Sequence, residues 1–300
     1  MEKIQLAEGL QLSRVVHGMM RLNEWDLSKE ERLTFFKEVM DLGITSFDHA
    51  DIYGSYTCEE LFGEAIALEP SLRSNMELIS KCGIVLESKN RPEHESHHYN
   101  TSKEHIVKSV ERSLKNLSTD YLDLLLIHRP DPLMNPEEVA QAFDELHRSG
   151  KVRHFGVSNF KRSQLSMLES YVSQPLVTNQ IELNPFNLEN FSDGTVELMQ
   201  EKRLPSMAWS PLAGGDLLKG QSEKALRLRK ALEEVGDELG TEEIDQVLYA
   251  WLYTHPSTIL PIVGSGKMSR IKSAIKAKDY KMTPHQWFHI YQASLGHDVP

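Results

Sequence analysis

Short hydrophobic runs alternate with longer amphipathic stretches along nearly the whole chain. Several of the runs are apolar without a break, as expected for parallel β-strands that are covered on both faces. We predict eight strands, at Arg14–Met19, Ile44–Asp48, Met76–Cys82, Leu122–His128, His154–Val157, Val177–Glu182, Pro205–Trp209 and Ile259–Ile262.

The stretches between these runs carry the signals of helices. The spacing of a capping box occurs before three of them, at Ser28 with Glu31, Thr57 with Glu60, and Thr101 with Glu104. Apolar residues then share one face of the helix after Thr101, at Ile106, Val110, Leu114 and Leu117. Pro136 stands where a first-turn proline is tolerated, and Ser222–Leu239 predicts an additional charged helix.

Strands that alternate with helices predict an α/β fold, a (β/α)₈ TIM barrel with parallel strands and extra loops and a helix in its C-terminal part. An open doubly wound sheet is the alternative. It needs a glycine-rich fingerprint after its first strand, where the chain reads His17-Gly18-Met19-Met20-Arg21-Leu22. Gly264-Ser265-Gly266 lies near the C-terminus and lacks the third glycine, because Ser269 occupies that position. With no linker or repeat, we expect a single domain over residues 1–300.

Charge and cysteine content narrow the class of partner. The chain has 33 Lys and Arg against 44 Asp and Glu, a net charge of −11, and no local basic block. This argues against nucleic acid or an anionic membrane as partner. The two cysteines form no disulfide framework, and no apolar run approaches the ~20 residues that span a bilayer. We expect a cytoplasmic monomer or small homo-oligomer.

Four ionisable side chains stand at or just after the ends of predicted strands, where barrel enzymes place their chemistry. They are Asp48, Tyr53, Lys81 and His128. Lys81 and Asp48 can pair in an apolar barrel mouth, and the Lys81 cation is expected to lower the phenol pKa of Tyr53. Such a tyrosine suits proton donation to a carbonyl oxygen that His128 orients and polarises.

Each of these four residues also has a structural interpretation when it is taken alone. An ion pair, a packed tyrosine or a histidine bonded to the backbone is common in proteins without any role in catalysis. Their occurrence together on three successive strands, in a chain without a metal-binding motif, favours a site for a small-molecule carbonyl substrate.

The four residues and three further motifs resemble the aldo-keto reductase family. Asp48, Tyr53, Lys81 and His128 match the family's pattern of Asp, Tyr, Lys and His. The further motifs are Gly156-Val157-Ser158-Asn159-Phe160, Asn179-Gln180-Ile181-Glu182-Leu183-Asn184-Pro185 and Trp209-Ser210-Pro211-Leu212. The resemblance extends from Gly18 to Arg270.

The resemblance implies NADPH as the cofactor, bound extended without a Rossmann fold. The family residues that form hydrogen bonds to the nicotinamide carboxamide are matched by Ser158, Asn159 and Gln180. Trp209 matches an aromatic residue that stacks on the nicotinamide ring. Glycines in Gly264-Ser265-Gly266 let backbone N–H groups approach a phosphate, and Arg270, assisted by Lys267, can grip a 2′-phosphate. No metal is expected. The full cofactor set is Gly18, Met19, Ser158, Asn159, Gln180, Trp209, Ser210, Pro211, Leu212, Gly264, Ser265, Gly266 and Arg270.

Two stretches depart from the family pattern. The turn Gly18-Met19-Met20 lacks the tryptophan with which many members line the substrate pocket. The polar loop Glu87–Asn100 has no clear counterpart, and we interpret its histidines, His94, His97 and His98, as loop residues rather than metal ligands. Two alternatives remain open: a cofactor-binding module that acts through a partner, as in the β-subunits of potassium channels, and a cofactor-free or metal-dependent barrel hydrolase or isomerase.

Overall fold

Strands and helices alternate along the chain in this computed structural model, which describes residues 1–300 apart from the side chains of Asp216 and Leu218. The strands are β1 (Lys3–Ala7), β2 (Leu10–Ser13), β3 (Val16–Gly18), β4 (Ser46–Asp48), β5 (Glu77–Cys82), β6 (Ile84–Val85), β7 (His98–Tyr99), β8 (Leu122–Ile127), β9 (Val152–Ser158), β10 (Leu176–Glu182), β11 (Ser206–Trp209) and β12 (Ile259–Val263).

The helices lie between and after these strands. They are α1 (Lys29–Asp41), α2 (Tyr53–Tyr56), α3 (Cys58–Ile66), α4 (Lys103–Asn116), α5 (Pro136–Arg148), α6 (Arg162–Glu169), α7 (Thr195–Lys202), α8 (Asp216–Lys219), α9 (Glu223–Leu239), α10 (Ile244–Thr254), α11 (Met268–Lys276) and α12 (Pro284–Leu295). Short 3₁₀ helices cover Leu22–Glu24, Pro70–Asn75, Glu189–Phe191, Ala213–Gly215 and Ala277–Asp279.

Eight of the strands close into a parallel barrel, in the order β10-β11-β12-β3-β4-β5-β8-β9. These are the eight strands that the sequence predicts, with ends shifted by no more than two residues. The predicted (β/α)₈ barrel is confirmed, and the open doubly wound sheet is excluded. Because all the strands run the same way, their C-terminal ends meet at one end of the barrel.

Two antiparallel pairs lie outside the barrel in the part of the chain that the structure describes. β1 pairs with β2 around Gly9, whose φ of +78° favours glycine in this tight turn. β6 pairs with β7, with Ile84 opposite Tyr99. This second pair joins the two ends of the loop at residues 87–100.

One of the three predicted capping boxes is confirmed. Ser28 Oγ accepts a hydrogen bond from the Glu31 backbone N–H at 3.2 Å, and the Glu31 carboxylate accepts one from Ser28 N–H at 2.8 Å. Pro136 begins α5 after the N-cap Asn135, also as predicted. The remaining expectations for helices hold in two cases, since the apolar face of α4 is buried and α9 begins after its cap Ser222.

The other two predicted capping boxes are wrong. Thr57 precedes α3, but its hydroxyl donates to the Gly54 carbonyl at 2.7 Å and does not cap the helix. The reason is local, because residues 54–56 all have positive φ and turn the chain before the helix begins. At α4 the cap is Ser102, one residue later than predicted, while Thr101 donates to Asp131 at 2.9 Å.

By their internal contacts the residues form two compact units, and the single-domain expectation stays a prediction. The first unit is Met1–Asn179 with Gly264–Gly266. Its core contains the packed rings of Phe36, Phe47 and Phe62. The second unit is Gln180–Val263 with Lys267–Pro300, and its core contains the stacked indoles of Trp251 and Trp287, 4.8 Å apart. None of the described helices is long and apolar enough to cross a membrane.

Candidate active site

Lys81 is the centre of a hydrogen-bonded group at the C-terminal ends of β4 and β5. Its buried Nζ donates to Asp48 Oδ2 at 2.7 Å, to the His49 carbonyl at 2.7 Å and to Tyr53 Oη at 3.0 Å. The parallel pairing of β4 with β5 brings these strand ends together. The Asp51 N–H, which donates to the Lys81 carbonyl at 3.1 Å, holds the chain between Asp48 and Tyr53 in place.

Burial and neighbouring charges set the protonation of this group. Burial alone would lower the pKa of Lys81, but Asp48 and Tyr53 together raise it above its ordinary value. Lys81 is therefore a cation that balances the Asp48 carboxylate inside the protein. The pKa of Tyr53 is raised, because burial outweighs the lowering effect of Lys81. Lys81 therefore lowers the phenol pKa as expected, but burial reverses the net direction of the shift, and Tyr53 keeps its proton at neutral pH.

His128 lies beside Tyr53 at the end of β8. The two rings are 6.0 Å apart between centroids and meet edge to face at 79°. Burial, with smaller contributions from Lys81 and Arg129, holds the pKa of His128 well below its ordinary value, so the imidazole is neutral. Its buried Nδ1 has no hydrogen-bond partner among the described residues. A neutral imidazole in this place is suited to donate one hydrogen bond to a carbonyl oxygen next to Tyr53.

Ser158 and Asn159 lie next to His128 at the end of β9. Asn159 has a φ of +61°, a left-handed conformation that asparagine tolerates better than most residues. Its Nδ2 donates to Ser158 Oγ at 2.7 Å and to the His128 carbonyl at 3.5 Å. Asn179 supports the turn by donating to the Phe160 carbonyl at 2.7 Å. Six of the residues predicted for the site are thereby brought together in the first unit.

The first unit also contains Gly18, Met19 and the loop Gly264–Gly266. Gly18 lies opposite Asp48 in the barrel, and the Met19 N–H donates to the Asp48 carbonyl at 2.9 Å. A Cβ added to Gly264 would lie 3.6 Å from the Gly18 carbonyl oxygen, so the loop passes close to the end of β3. The cofactor residues predicted near β3 therefore adjoin the Asp48 end of the Lys81 group.

In the second unit, Gln180 and Trp209 occupy neighbouring strands. Gln180 is buried on β10, and its Nε2 lies 3.9 Å from Met207 Sδ. Trp209 ends β11 opposite Glu182. The three residues that follow begin with Ser210, whose φ is +48° and whose carbonyl accepts a hydrogen bond from Asn184 Nδ2 at 3.0 Å. Pro211 and Leu212 complete the motif, and Pro211 is buried.

The second unit also contains the helix that carries Arg270, the residue predicted to bind the 2′-phosphate. α11 begins at Met268 after the N-cap Lys267, and no side chain caps it. Arg270 is the third residue of this helix and is exposed, as is Lys267. The structure thus places Arg270 in the first turn, as the sequence predicts.

Tyr56 anchors the loop at residues 87–100, a structural role that the sequence does not reveal. Its hydroxyl oxygen accepts a hydrogen bond from the Leu86 N–H at 2.8 Å and lies 3.2 Å from His94 Nδ1. The Arg91 guanidinium stacks over its ring at 4.8 Å. These contacts anchor the loop at residues 87–100. No three His, Cys, Asp or Glu side chains within the described part of the chain group closely enough to hold a metal ion.

A small polar cavity adjoins this loop, and Asp51, Glu59, Arg91 and His105 are among the residues that line it. Burial raises the pKa of Asp51, with a further contribution from Glu59, and burial also raises the pKa of Glu59 itself. Burial lowers the pKa of His105 to about 4. Two carboxyl groups with raised pKa values, Asp51 and Glu59, therefore line this cavity.

Comparisons with known proteins identify the family to which this chain belongs. Residues 14–294 match the Aldo/keto reductase family. An uncharacterized oxidoreductase of Bacillus subtilis, YcsN, is 62% identical, and the 6-dehydroglucose reductase of Agrobacterium fabrum is 41% identical; both alignments cover 100% of each chain. The crystal structure of the thermostable aldo-keto reductase Tm1743 with the inhibitor epalrestat matches with a TM-score of 0.81 at 29% identity, over 98% of this chain and 100% of that one. The chain belongs to the aldo/keto reductase family.

Proposed function

We propose that this protein reduces the aldehyde or ketone groups of small molecules to alcohols, with NADPH as the hydride donor and Tyr53 as the proton donor. The observation that carries the proposal is the bond from Lys81 Nζ to both Asp48 and Tyr53, at 2.7 and 3.0 Å. Neutral His128 lies beside the same tyrosine ring. Membership of a family of nicotinamide-dependent oxidoreductases supports the same reaction class.

The residues assigned to the cofactor suit an anionic dinucleotide. α11 begins without a side-chain cap, and the N–H groups of an uncapped helix start attract phosphate. Lys267 and Arg270 are exposed cations at this helix start. A guanidinium there suits the 2′-phosphate that distinguishes NADP from NAD. When bound, the cofactor supplies a hydride to the carbonyl carbon.

The side chains around Lys81 then handle the proton. Tyr53 donates its hydroxyl proton to the carbonyl oxygen. Burial raises the pKa of this hydroxyl, so Tyr53 is protonated before the reaction begins. Lys81 stabilises the phenolate that remains, while Asp48 keeps Lys81 charged and oriented. His128 donates a hydrogen bond to the same oxygen. In the reverse direction, the tyrosinate accepts the proton of an alcohol.

Oxidation of NADPH in the presence of aldehydes, ketones and quinones tests the proposal. 6-Dehydroglucose belongs in the panel because the relative from Agrobacterium fabrum is named for it. We expect at least one compound to be converted to its alcohol with consumption of one NADPH. Binding of NADPH without turnover of any compound favours a module that acts through a partner. A protein without affinity for NADPH contradicts the proposal.

We also infer a cytoplasmic protein that acts as a single-domain monomer or small homo-oligomer. Its acidic composition supports small-molecule rather than nucleic-acid partners. Size-exclusion chromatography with light scattering measures the oligomeric state, and a large or open-ended assembly contradicts this inference.

A further inference from the structure

We propose that Trp25 is a positioning residue for the cofactor. Its indole packs against the loop Gly264–Gly266, and this contact fixes the position at which the loop backbone binds the phosphates. The inference rests on the proposed assignment of that loop to the cofactor. The observations that carry it all lie within the first unit.

Gly266 has no space for a side chain because the indole of Trp25 fills it. A Cβ added to Gly266 would lie 2.9 Å from Cγ and Cδ2 of Trp25 and 3.0 Å from its Cε2. Nonbonded carbon atoms prefer a separation of about 3.5–4.0 Å, so a methyl group cannot be added without movement of the loop or the ring. The φ angle of Gly266 lies outside the left-handed region. Close approach, rather than backbone conformation, is therefore what requires glycine here.

Other aromatic rings hold the indole in place. Trp25 packs edge to face on Phe35 of α1, with centroids 5.2 Å apart, and lies 5.8 Å from His17 of β3. Its backbone N–H donates to the Leu22 carbonyl at 3.3 Å, which ties it to the short 3₁₀ helix after β3. The Trp25 indole is thus held by contacts with the first barrel strand and the first helix, and not only by a surface turn.

The loop meets the first strand at its other end as well, because Gly264 lies beside the Gly18 carbonyl. Two contacts therefore seat the loop, one at each of its glycines. Hydrogen bonds from backbone N–H groups to phosphate depend steeply on distance and angle. A shift of the loop by a fraction of an ångström is then enough to weaken cofactor binding without any loss of a direct ligand.

A double-mutant cycle between Trp25 and Gly266 tests the inference. NADPH affinity is measured by fluorescence titration of wild type, Gly266→Ala, Trp25→Ala and the double variant. With the indole present, the added methyl group must displace the loop, and we expect Kd to rise by about tenfold, within the range found for residues in contact. Without the indole, the methyl group has room, and the same substitution should raise Kd by less than about threefold.

Two further variants keep the test decisive. Trp25→Phe retains a flat ring and should restore most of the affinity lost in Trp25→Ala, while kcat at saturating NADPH should be similar in both. Phe143→Leu is the matched control, because this buried residue of the same unit stacks on Phe155 rather than on Trp25. It should lower the unfolding temperature with little change in Kd. If Trp25→Ala does not fold, Trp25→Leu takes its place in the cycle.

The possible failures are distinguishable. If Gly266→Ala raises Kd equally with and without the indole, the glycine serves the phosphate directly and the positioning role of Trp25 is overturned. If Trp25→Ala changes the unfolding temperature but not Kd, the tryptophan is only a packing residue and the inference is again overturned. If wild-type protein binds no NADPH, it is the proposed function that fails.

Discussion

A buried ammonium group requires a counter-charge, and Asp48 supplies one to Lys81 across 2.7 Å. The same ammonium donates to Tyr53, so the three side chains depend on one another. Substitutions within such a group are not additive, because removal of one member changes the state of the others. Variants of this group therefore differ in pH dependence and cofactor affinity as well as in rate.

Replacement of Tyr53 with phenylalanine should lower carbonyl reduction by about 10²–10⁴-fold, the usual contribution of general acid catalysis. The phenyl ring preserves packing, so NADPH should bind almost as it does to wild type. Steady-state kinetics and fluorescence titration measure the two effects. Tyr56→Phe is the control, because it removes a nearby hydroxyl that anchors the loop and should retain most of the activity. Normal turnover by Tyr53→Phe removes this residue from the mechanism.

Replacement of Lys81 with methionine should raise the pKa of Tyr53 further, since Lys81 lowers it more than any other neighbouring group does. Tyr53 acts as an acid in reduction, so the decline of kcat/KM at high pH should move to higher pH. We also expect a stability loss of about 3–5 kcal/mol, because the buried Asp48 carboxylate loses its ammonium partner. The pair Asp48→Asn with Lys81→Met should recover stability but not activity. An unchanged pH–rate profile restricts Lys81 to a structural role.

Replacement of Arg270 with alanine should weaken NADPH binding by about one to two orders of magnitude, because a charge-assisted bond contributes about 1.5–3 kcal/mol. NADH lacks the 2′-phosphate, so its affinity should hardly change. Titration of both cofactors measures the difference. Lys272→Ala removes another exposed cation from the same helix and serves as the control. Equal losses for NADH and NADPH contradict the assignment.

The predicted capping boxes show where a local sequence pattern is enough to predict a helix start and where it is not. The box at Ser28 and Glu31 forms because the extended backbone of Ser28 brings its hydroxyl oxygen to the Glu31 N–H. Thr57 has the same spacing, yet the positive φ angles of residues 54–56 direct its hydroxyl to Gly54 instead. The barrel strands were predictable because they are apolar runs covered on both faces. β6 and β7 were not, since each has two residues and β7 is exposed.

Replacement of Ser28 with alanine should destabilise the protein by about 1 kcal/mol, because the Glu31 N–H loses its acceptor at the start of α1. Ser28→Asp keeps an acceptor oxygen and should retain most of the stability. Urea unfolding of the three proteins measures the differences. Equal losses for the alanine and aspartate variants contradict a capping role.

The barrel topology explains why much of the candidate site was predictable. Side chains at the ends of neighbouring parallel strands must meet, so strand assignment alone brought Asp48, Lys81 and His128 together. Two features were not predictable. The direction of the Tyr53 pKa shift depends on depth of burial, which periodicity does not report. The contact of Trp25 with Gly266 joins distant parts of the chain and leaves no local signal.

Buried carboxyl groups make the folding of the protein depend on pH. Burial raises the pKa of Glu59 above its ordinary 4.5, so its stability contribution is complete below that pH and is lost as pH rises through the folded-state pKa. Glu59→Gln cannot ionise. Its free energy of unfolding relative to wild type should therefore increase as the pH rises from about 4.5 through the folded-state pKa of Glu59, by about 1.4 kcal/mol for each unit of pKa shift.

Urea unfolding at several pH values measures this trend. Glu60→Gln is the matched control, because it makes the same change at the exposed neighbour and should show no comparable increase. A parallel pH dependence for Glu59→Gln and wild type contradicts the assignment of this proton to Glu59.

The buried pair of Lys81 and Asp48 also limits the mutational paths open to the gene. A codon change that replaces either partner leaves the other charge buried without a counter-charge. The resulting loss of about 3–5 kcal/mol in the free energy of unfolding is a large part of the 5–15 kcal/mol that stabilises a typical domain. A lineage that gives up the reaction must change both codons or first acquire stabilising substitutions elsewhere. Tyr53 carries no charge and can be lost in one step. Inactive descendants should therefore lose the tyrosine first and retain the lysine and aspartate.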